Sequence, residues 1–82
     1  MSTDAAAPGS SVDLASPLQG TVVQVAADIG GSVALGALVV VLESMKMELA
    51  LTAPVDGTVT ELGVAVGDKV GKDQIVATVE AA

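Results

Sequence analysis

The chain carries an internal repeat, which becomes visible when the sequence is shifted by 37 residues against itself. Residues 15–44 then align with residues 52–81 without a gap. Eight positions are identical in this alignment: Pro17 and Pro54, Gly20 and Gly57, Thr21 and Thr58, Val22 and Val59, Gly30 and Gly67, Val33 and Val70, Val39 and Val76, and Glu43 and Glu80. Composition alone explains matching valines, but not prolines and glycines that stay in register. The fold must therefore contain two similar units in one body.

Each repeat unit contains the turn residues that typically separate short β-strands. A Pro-x-x-Gly segment precedes a β-branched run, a glycine turn follows at Gly30-Gly31 or Gly67-Asp68, and a second apolar run closes the unit. This order predicts about four strands per unit. Helices are not predicted, because apolar residues do not recur at spacings of three and four for long enough.

Two such units cannot bury their apolar faces alone, so each must cover the other. The sequence therefore predicts an all-β fold, a flattened β-barrel or sandwich (a barrelled-sandwich hybrid) of two four-stranded halves related by a pseudo-two-fold axis. Val22 and Val25 lie three residues apart in the first long strand, which breaks the strict alternation of a strand. We predict a β-bulge at this point.

The chain is long enough for one domain. Residues 1–13 are small and polar and are predicted to form a flexible N-terminal tail, which leaves residues 14–82 as the folded domain. The first residues lack the basic and apolar parts of a signal peptide. Uncharged stretches such as residues 29–42 are shorter than the roughly 20 residues that cross a bilayer. We expect a soluble, cytoplasmic protein.

The composition excludes several kinds of chemistry. The chain has no Phe, Tyr, Trp, Cys or His, so Val, Leu, Ile, Ala and three Met are left to build the interior. It lacks an imidazole base, a thiolate, an ordinary zinc site and aromatic rings for stacking bases. A formal charge of −7 repels phosphate backbones and anionic membranes. We expect no metal and neither nucleic acid nor a membrane as a partner.

The segment between the two repeat units, residues 45–51, is predicted to contain a hairpin turn with Lys46 at its tip. Lys69 and Lys72 lie in polar turns and are interpreted as solubilising residues. Met45 and Met47 have two explanations: they fill gaps in the core, or they form an adaptable apolar collar that a partner enzyme recognises. Both explanations leave Lys46 pointing outward, because alternate residues of a strand face opposite sides.

Glu-Ser-Met-Lys-Met, inside a repeated β pattern and followed by Ala-Pro-Val-Asp-Gly-Thr-Val, resembles the biotinyl domain of biotin-dependent carboxylases over residues 14–81. The resemblance implies that biotin protein ligase attaches biotin covalently to Lys46. It also implies that the ligase recognises the flanking residues Met45 and Met47, with Glu43 and Ser44 before them. The family more often has Ala at the position of Ser44, a small departure that leaves the expected fold unchanged.

The resemblance also implies a non-catalytic carrier. In the family, the biotin arm carries an activated carboxyl group from a biotin carboxylase to a carboxyltransferase, and the acceptor is commonly an acyl-CoA. The domain supplies reach and rigidity, and its partners supply the catalysis.

Three alternatives are weaker. A lipoyl domain of a 2-oxo-acid dehydrogenase complex has a similar fold and also presents a lysine, but it usually has Asp-Lys-Ala at the turn. An unmodified β-sandwich interaction module has no reason to keep Met-Lys-Met. An enzyme that uses Glu43 and Glu48 as a carboxylate pair lacks a pocket to perturb them.

Overall fold

The computed structural model describes residues 9–82, and they form eight β-strands and no helix. The strands are β1 (Ser11–Ala15), β2 (Gly20–Val25), β3 (Ser32–Val33), β4 (Leu38–Ser44), β5 (Met47–Thr52), β6 (Gly57–Leu62), β7 (Lys69–Val70) and β8 (Ile75–Ala81). Among these residues there is thus no helix long and apolar enough to span a membrane. The predicted all-β class and the count of four strands per half are confirmed.

The strands form two four-stranded antiparallel sheets. Sheet A has the order β1-β8-β6-β3 and sheet B has the order β5-β4-β2-β7. Adding 37 to the residue numbers of β1 to β4 gives positions within β5 to β8. Exchanging each strand with its equivalent converts the order of sheet A into that of sheet B. Each sheet therefore takes two strands from each repeat unit, so the two halves are interleaved and form a flattened sandwich.

Strand pairs in sheet A have equivalents in sheet B at positions 37 residues away. Ser11 pairs with Glu80 in sheet A, and the positions 37 residues away, Glu48 and Glu43, pair in sheet B. The predicted bulge is confirmed, because the β2–β4 register shifts between Val22 and Gln24. The β6–β8 register shifts at the equivalent place, between Val59 and Glu61. The pseudo-two-fold symmetry thus includes the irregularities of the strands.

The core lies between the sheets and consists mainly of valine. Its fully buried side chains are Val22, Val39, Val40, Leu42, Val59, Val76 and Val79. Small β-branched side chains suit this thin interior, because they pack on a pleated surface without the volume of aromatic rings. The expectation that methionine contributes to the core is wrong for Met45 and Met47, which are exposed; Met1 lies outside the described residues.

The folded body begins earlier than residue 14. Strand β1 starts at Ser11 and pairs with β8, and the amide of Gly9 donates a hydrogen bond to the carbonyl of Ala81 (2.8 Å). The predicted boundary of the tail therefore needs correction, because residues 11–13 belong to sheet A. Residues 1–8 of the predicted tail lie outside the described residues.

Candidate functional site

Strands β4 and β5 form a hairpin with the shortest common loop. Ser44 pairs with Met47, so only Met45 and Lys46 lie in the turn. Both residues have positive φ angles, 52° at Met45 and 66° at Lys46. This is the pattern of a type I′ turn, whose twist matches that of the flanking strands. The predicted hairpin with Lys46 at its tip is present.

The turn is occupied by residues that disfavour its conformation. Type I′ turns usually contain Asn-Gly or Asp-Gly, because a side chain with a Cβ is strained at positive φ. A non-glycine residue in this region costs of the order of 1–3 kcal/mol. Met45 and Lys46 keep the turn without the usual residues, and such strain concentrates at functional sites.

The two methionines of the turn region point into water. Met45 is 92% exposed and Met47 is 72% exposed. The gap-filling explanation is therefore wrong for both side chains, and the pair forms an exposed apolar collar around the lysine. Unbranched thioether side chains adapt their shape readily to a partner surface.

Lys46 itself is exposed, and so are the nearest acids, Glu43 and Glu48, which pair directly across the hairpin. Ser44 is half-buried. The two glutamates therefore stand on one face of the hairpin. Within residues 9–82, no group of three or more acidic, Cys or His side chains is arranged to hold a metal ion.

One face of sheet B carries a polar row at the hairpin end. Lys69 pairs with Thr21, Thr21 with Glu43, and Glu43 with Glu48. Residues that are directly opposite in a sheet project to the same side, so these four side chains share a face. Sequence reasoning missed this place of Lys69, because the β2–β7 pairing brings it to the hairpin from 23 residues away.

An open groove of about 350 Å³ lies beside the turn. We call it the Gly20 groove; its lining residues are Gln19, Gly20, Thr21, Glu43, Ser44, Met45, Lys69 and Val70. Gly20 has no side chain to fill the space between the β4 end and β7. A Cβ at this position would lie 2.8 Å from the carbonyl oxygen of Glu43. The glycine therefore allows β2 to approach β4 closely and leaves the groove open.

The pseudo-two-fold symmetry relates the hairpin turn to a second place in the fold, where no lysine is present. Position 9 is equivalent to position 46, and Gly9 has the same left-handed conformation as Lys46, with φ of 81°. Ala82 is equivalent to Met45. The left-handed conformation thus recurs at the position equivalent to Lys46, but the positive φ of Met45 does not recur at Ala82.

The sequence matches the Biotin-lipoyl family, described as "Biotin-requiring enzyme", over residues 12–79. This range covers most of the chain and nearly all of its two sheets, so the chain belongs to this family. Among curated proteins, no significant sequence match is found.

Two solved structures resemble the fold closely. One is a single-chain, multi-domain long-chain acyl-CoA carboxylase, with a TM-score of 0.82 and 34% sequence identity over 93% of this chain and 8% of that one. The other is the urea carboxylase of Kluyveromyces lactis, with a TM-score of 0.81 and 26% identity over 96% of this chain and 7% of that one. The chain spans less than a tenth of the length of either carboxylase.

Proposed function

We propose that the protein is a biotin carboxyl carrier in which Lys46 holds biotin through an amide bond. One observation carries this proposal: a single exposed lysine occupies a strained two-residue turn between two exposed methionines. The chain also belongs to a family of biotin-requiring enzymes, and the neighbours of its fold are carboxylases.

The site fits an attached acyl arm. The lysine stem is long and flexible, and the turn holds its base on a rigid hairpin. A lysine amine carries a proton in neutral water, so the modifying enzyme has to accept that proton before the nitrogen attacks the acyl carbon of the biotin adenylate made from biotin and ATP. The bond from the acyl carbon to the phosphate oxygen then breaks, and AMP leaves. The amide that forms is uncharged, which makes the formal net charge one unit more negative than −7.

We assign recognition by biotin protein ligase to the collar of Met45 and Met47, together with Glu43 and Ser44. Met47→Ala is expected to slow biotinylation, because it removes an exposed apolar contact, and to change the free energy of unfolding by less than about 0.5 kcal/mol. The initial rate of biotin incorporation and a urea melt measure the two effects. An unchanged rate would exclude Met47 from recognition.

When biotin is bound, it supplies a carrier for an activated carboxyl group. In this proposal the partners are a biotin carboxylase and a carboxyltransferase, present as subunits or as domains, while the protein itself does no catalysis and works in the cytoplasm. One carboxylase of similar fold acts on long-chain acyl-CoA and another on urea. The better sequence identity to the first supports an acyl-CoA acceptor.

The proposal is tested by the intact mass of the protein after incubation with biotin protein ligase, biotin and ATP. We expect one biotinyl increment per chain. A parallel incubation with lipoate ligase and lipoate is expected to leave the mass unchanged. A lipoyl increment would instead support a carrier domain of a 2-oxo-acid dehydrogenase complex, and no increment with either enzyme would support an unmodified interaction module.

A further inference from the structure

We infer, on the basis of the proposed function, that the Gly20 groove is a docking site for the ureido ring of the biotin arm on Lys46. The groove is a site on the carrier itself, separate from the active sites of its partners. Docking there would hold the ring against sheet B between visits to the partners.

The position of the groove favours this occupant. Met45 forms part of its wall and directly precedes Lys46 in the turn. An arm on Lys46 therefore reaches the groove by folding back over one residue. A larger groove of about 400 Å³ lies on sheet A and is lined by other residues, among them Ile29, Glu61 and Ile75. None of its lining residues belongs to the turn.

The chemistry of the groove matches a cyclic urea. In a five-membered cyclic urea the carbonyl acceptor lies between two N–H donors, which diverge from it on either side. Across the groove, Glu43 offers a carboxylate that accepts, Lys69 offers an ammonium that donates, and the hydroxyl of Thr21 lies between them. The Cα atoms of Glu43 and Lys69 are two strand spacings apart, about 10 Å, which leaves room for the ring between the side-chain ends.

The apolar parts of the groove suit the rest of the ring system. Met45 and the Cα of Gly20 lie at the groove and offer contacts for the sulfur-containing ring and its methylene groups, since an unbranched thioether chain adapts its shape to a partner. Weak intrinsic affinity is sufficient, because a tether keeps the ring at an effective concentration of the order of millimolar. An intrinsic dissociation constant of about 1 mM would fill the groove about half of the time.

The test compares four fully modified forms of the protein by NMR. Wild type with biotin on Lys46 is compared with wild type carrying Nε-acetyl-lysine at position 46, which has the same amide and no ring. We expect nuclear Overhauser effects from the ureido N–H protons to the Thr21 methyl or the Lys69 side chain. We also expect amide shift differences between the two forms at residues 19–21 and 69–70.

Lys69→Met is the third form, since it removes the donor and keeps an unbranched side chain. It is expected to lower the docking equilibrium constant about fivefold to tenfold, the effect of losing one typical hydrogen bond, since solvent at an open site weakens a charged one. Lys72→Met, biotinylated on Lys46, is the matched control and should keep the wild-type shifts, because Lys72 does not line the groove.

Failure of the proposed function and failure of the docking proposal give different results. If mass spectrometry shows no biotin on Lys46, the proposed function fails, and docking fails with it. If Lys46 is fully biotinylated but the shifts are confined to residues 45–47 and ureido contacts are missing, only docking is overturned. Contacts that persist unchanged in Lys69→Met would also overturn the assigned role of Lys69.

Discussion

Lys46→Arg is expected to abolish biotinylation of the protein by biotin protein ligase. An arginine side chain is nearly as long and stays exposed at the turn, but its guanidinium keeps its proton and does not form the amide. The substitution leaves a side chain with a Cβ at the same positive φ, so the strain of the turn is unchanged. Intact mass spectrometry should show no biotinyl increment, while the urea midpoint should match that of the wild type.

Lys69→Arg and Lys72→Arg provide the controls, because Lys46, Lys69 and Lys72 are the only basic residues of the chain. Both variants should take up one biotin per chain. An increment that survives in Lys46→Arg and disappears in either control would place the attachment site on another lysine.

Gly57→Ala is expected to destabilise the fold more than Gly20→Ala or Gly63→Ala. A Cβ at Gly57 would lie 2.0 Å from the carbonyl oxygen of Glu80, and a backbone atom cannot move aside as a flexible side chain does. Strand β6 would have to separate from β8, the central pairing of sheet A. Overpacking of this kind costs about 1–3 kcal/mol or more. That is a large part of the roughly 4–12 kcal/mol expected for a domain of this size.

Two further glycines make this comparison specific. Gly20 is the equivalent position of the other unit, and its Cβ would lie 2.8 Å from the carbonyl oxygen of Glu43, so Gly20→Ala should have a smaller effect. At Gly63 the nearest atom would be 3.9 Å away, and Gly63→Ala should be close to neutral. Urea titrations followed by far-UV circular dichroism measure all three, since the chain has no Trp or Tyr to report unfolding. Equal midpoints for Gly57→Ala and Gly63→Ala would refute the steric explanation.

Much of the fold is predictable from the sequence, because the same turn residues and the same apolar spacing occur in both repeat units. Prolines and glycines in register give the number of strands per unit, and the three-residue spacing of Val22 and Val25 gives the bulge. The hairpin follows from the junction between the units. The early start of β1 also had a signal, because extending the same shift towards the N-terminus places Val12 on Leu49 and Leu14 on Leu51, alternate apolar positions of a strand.

Other features depend on which strands pair, and a repeat does not determine that. The same two units could each form a sheet of their own, whereas the structure distributes the strands of each unit over both sheets. The position of Lys69 in the row with Thr21 and Glu43 follows from that pairing. The exposure of Met45 and Met47 depends on the turn type, and two residues at positive φ are not expected where the sequence has neither Asn nor Gly.

The interleaved strand order determines when the lysine hairpin and the two sheets can form during synthesis. Among the eight strands of residues 9–82, only β4 and β5 are both neighbours in sequence and partners in a sheet. Every other pairing joins distant segments, and such topologies fold slowly. Sheet A also needs β8, which ends at Ala81, as an inner strand between β1 and β6. On a ribosome, the lysine hairpin would therefore emerge well before the body that supports it, and that body would close only after almost the whole domain had been synthesised.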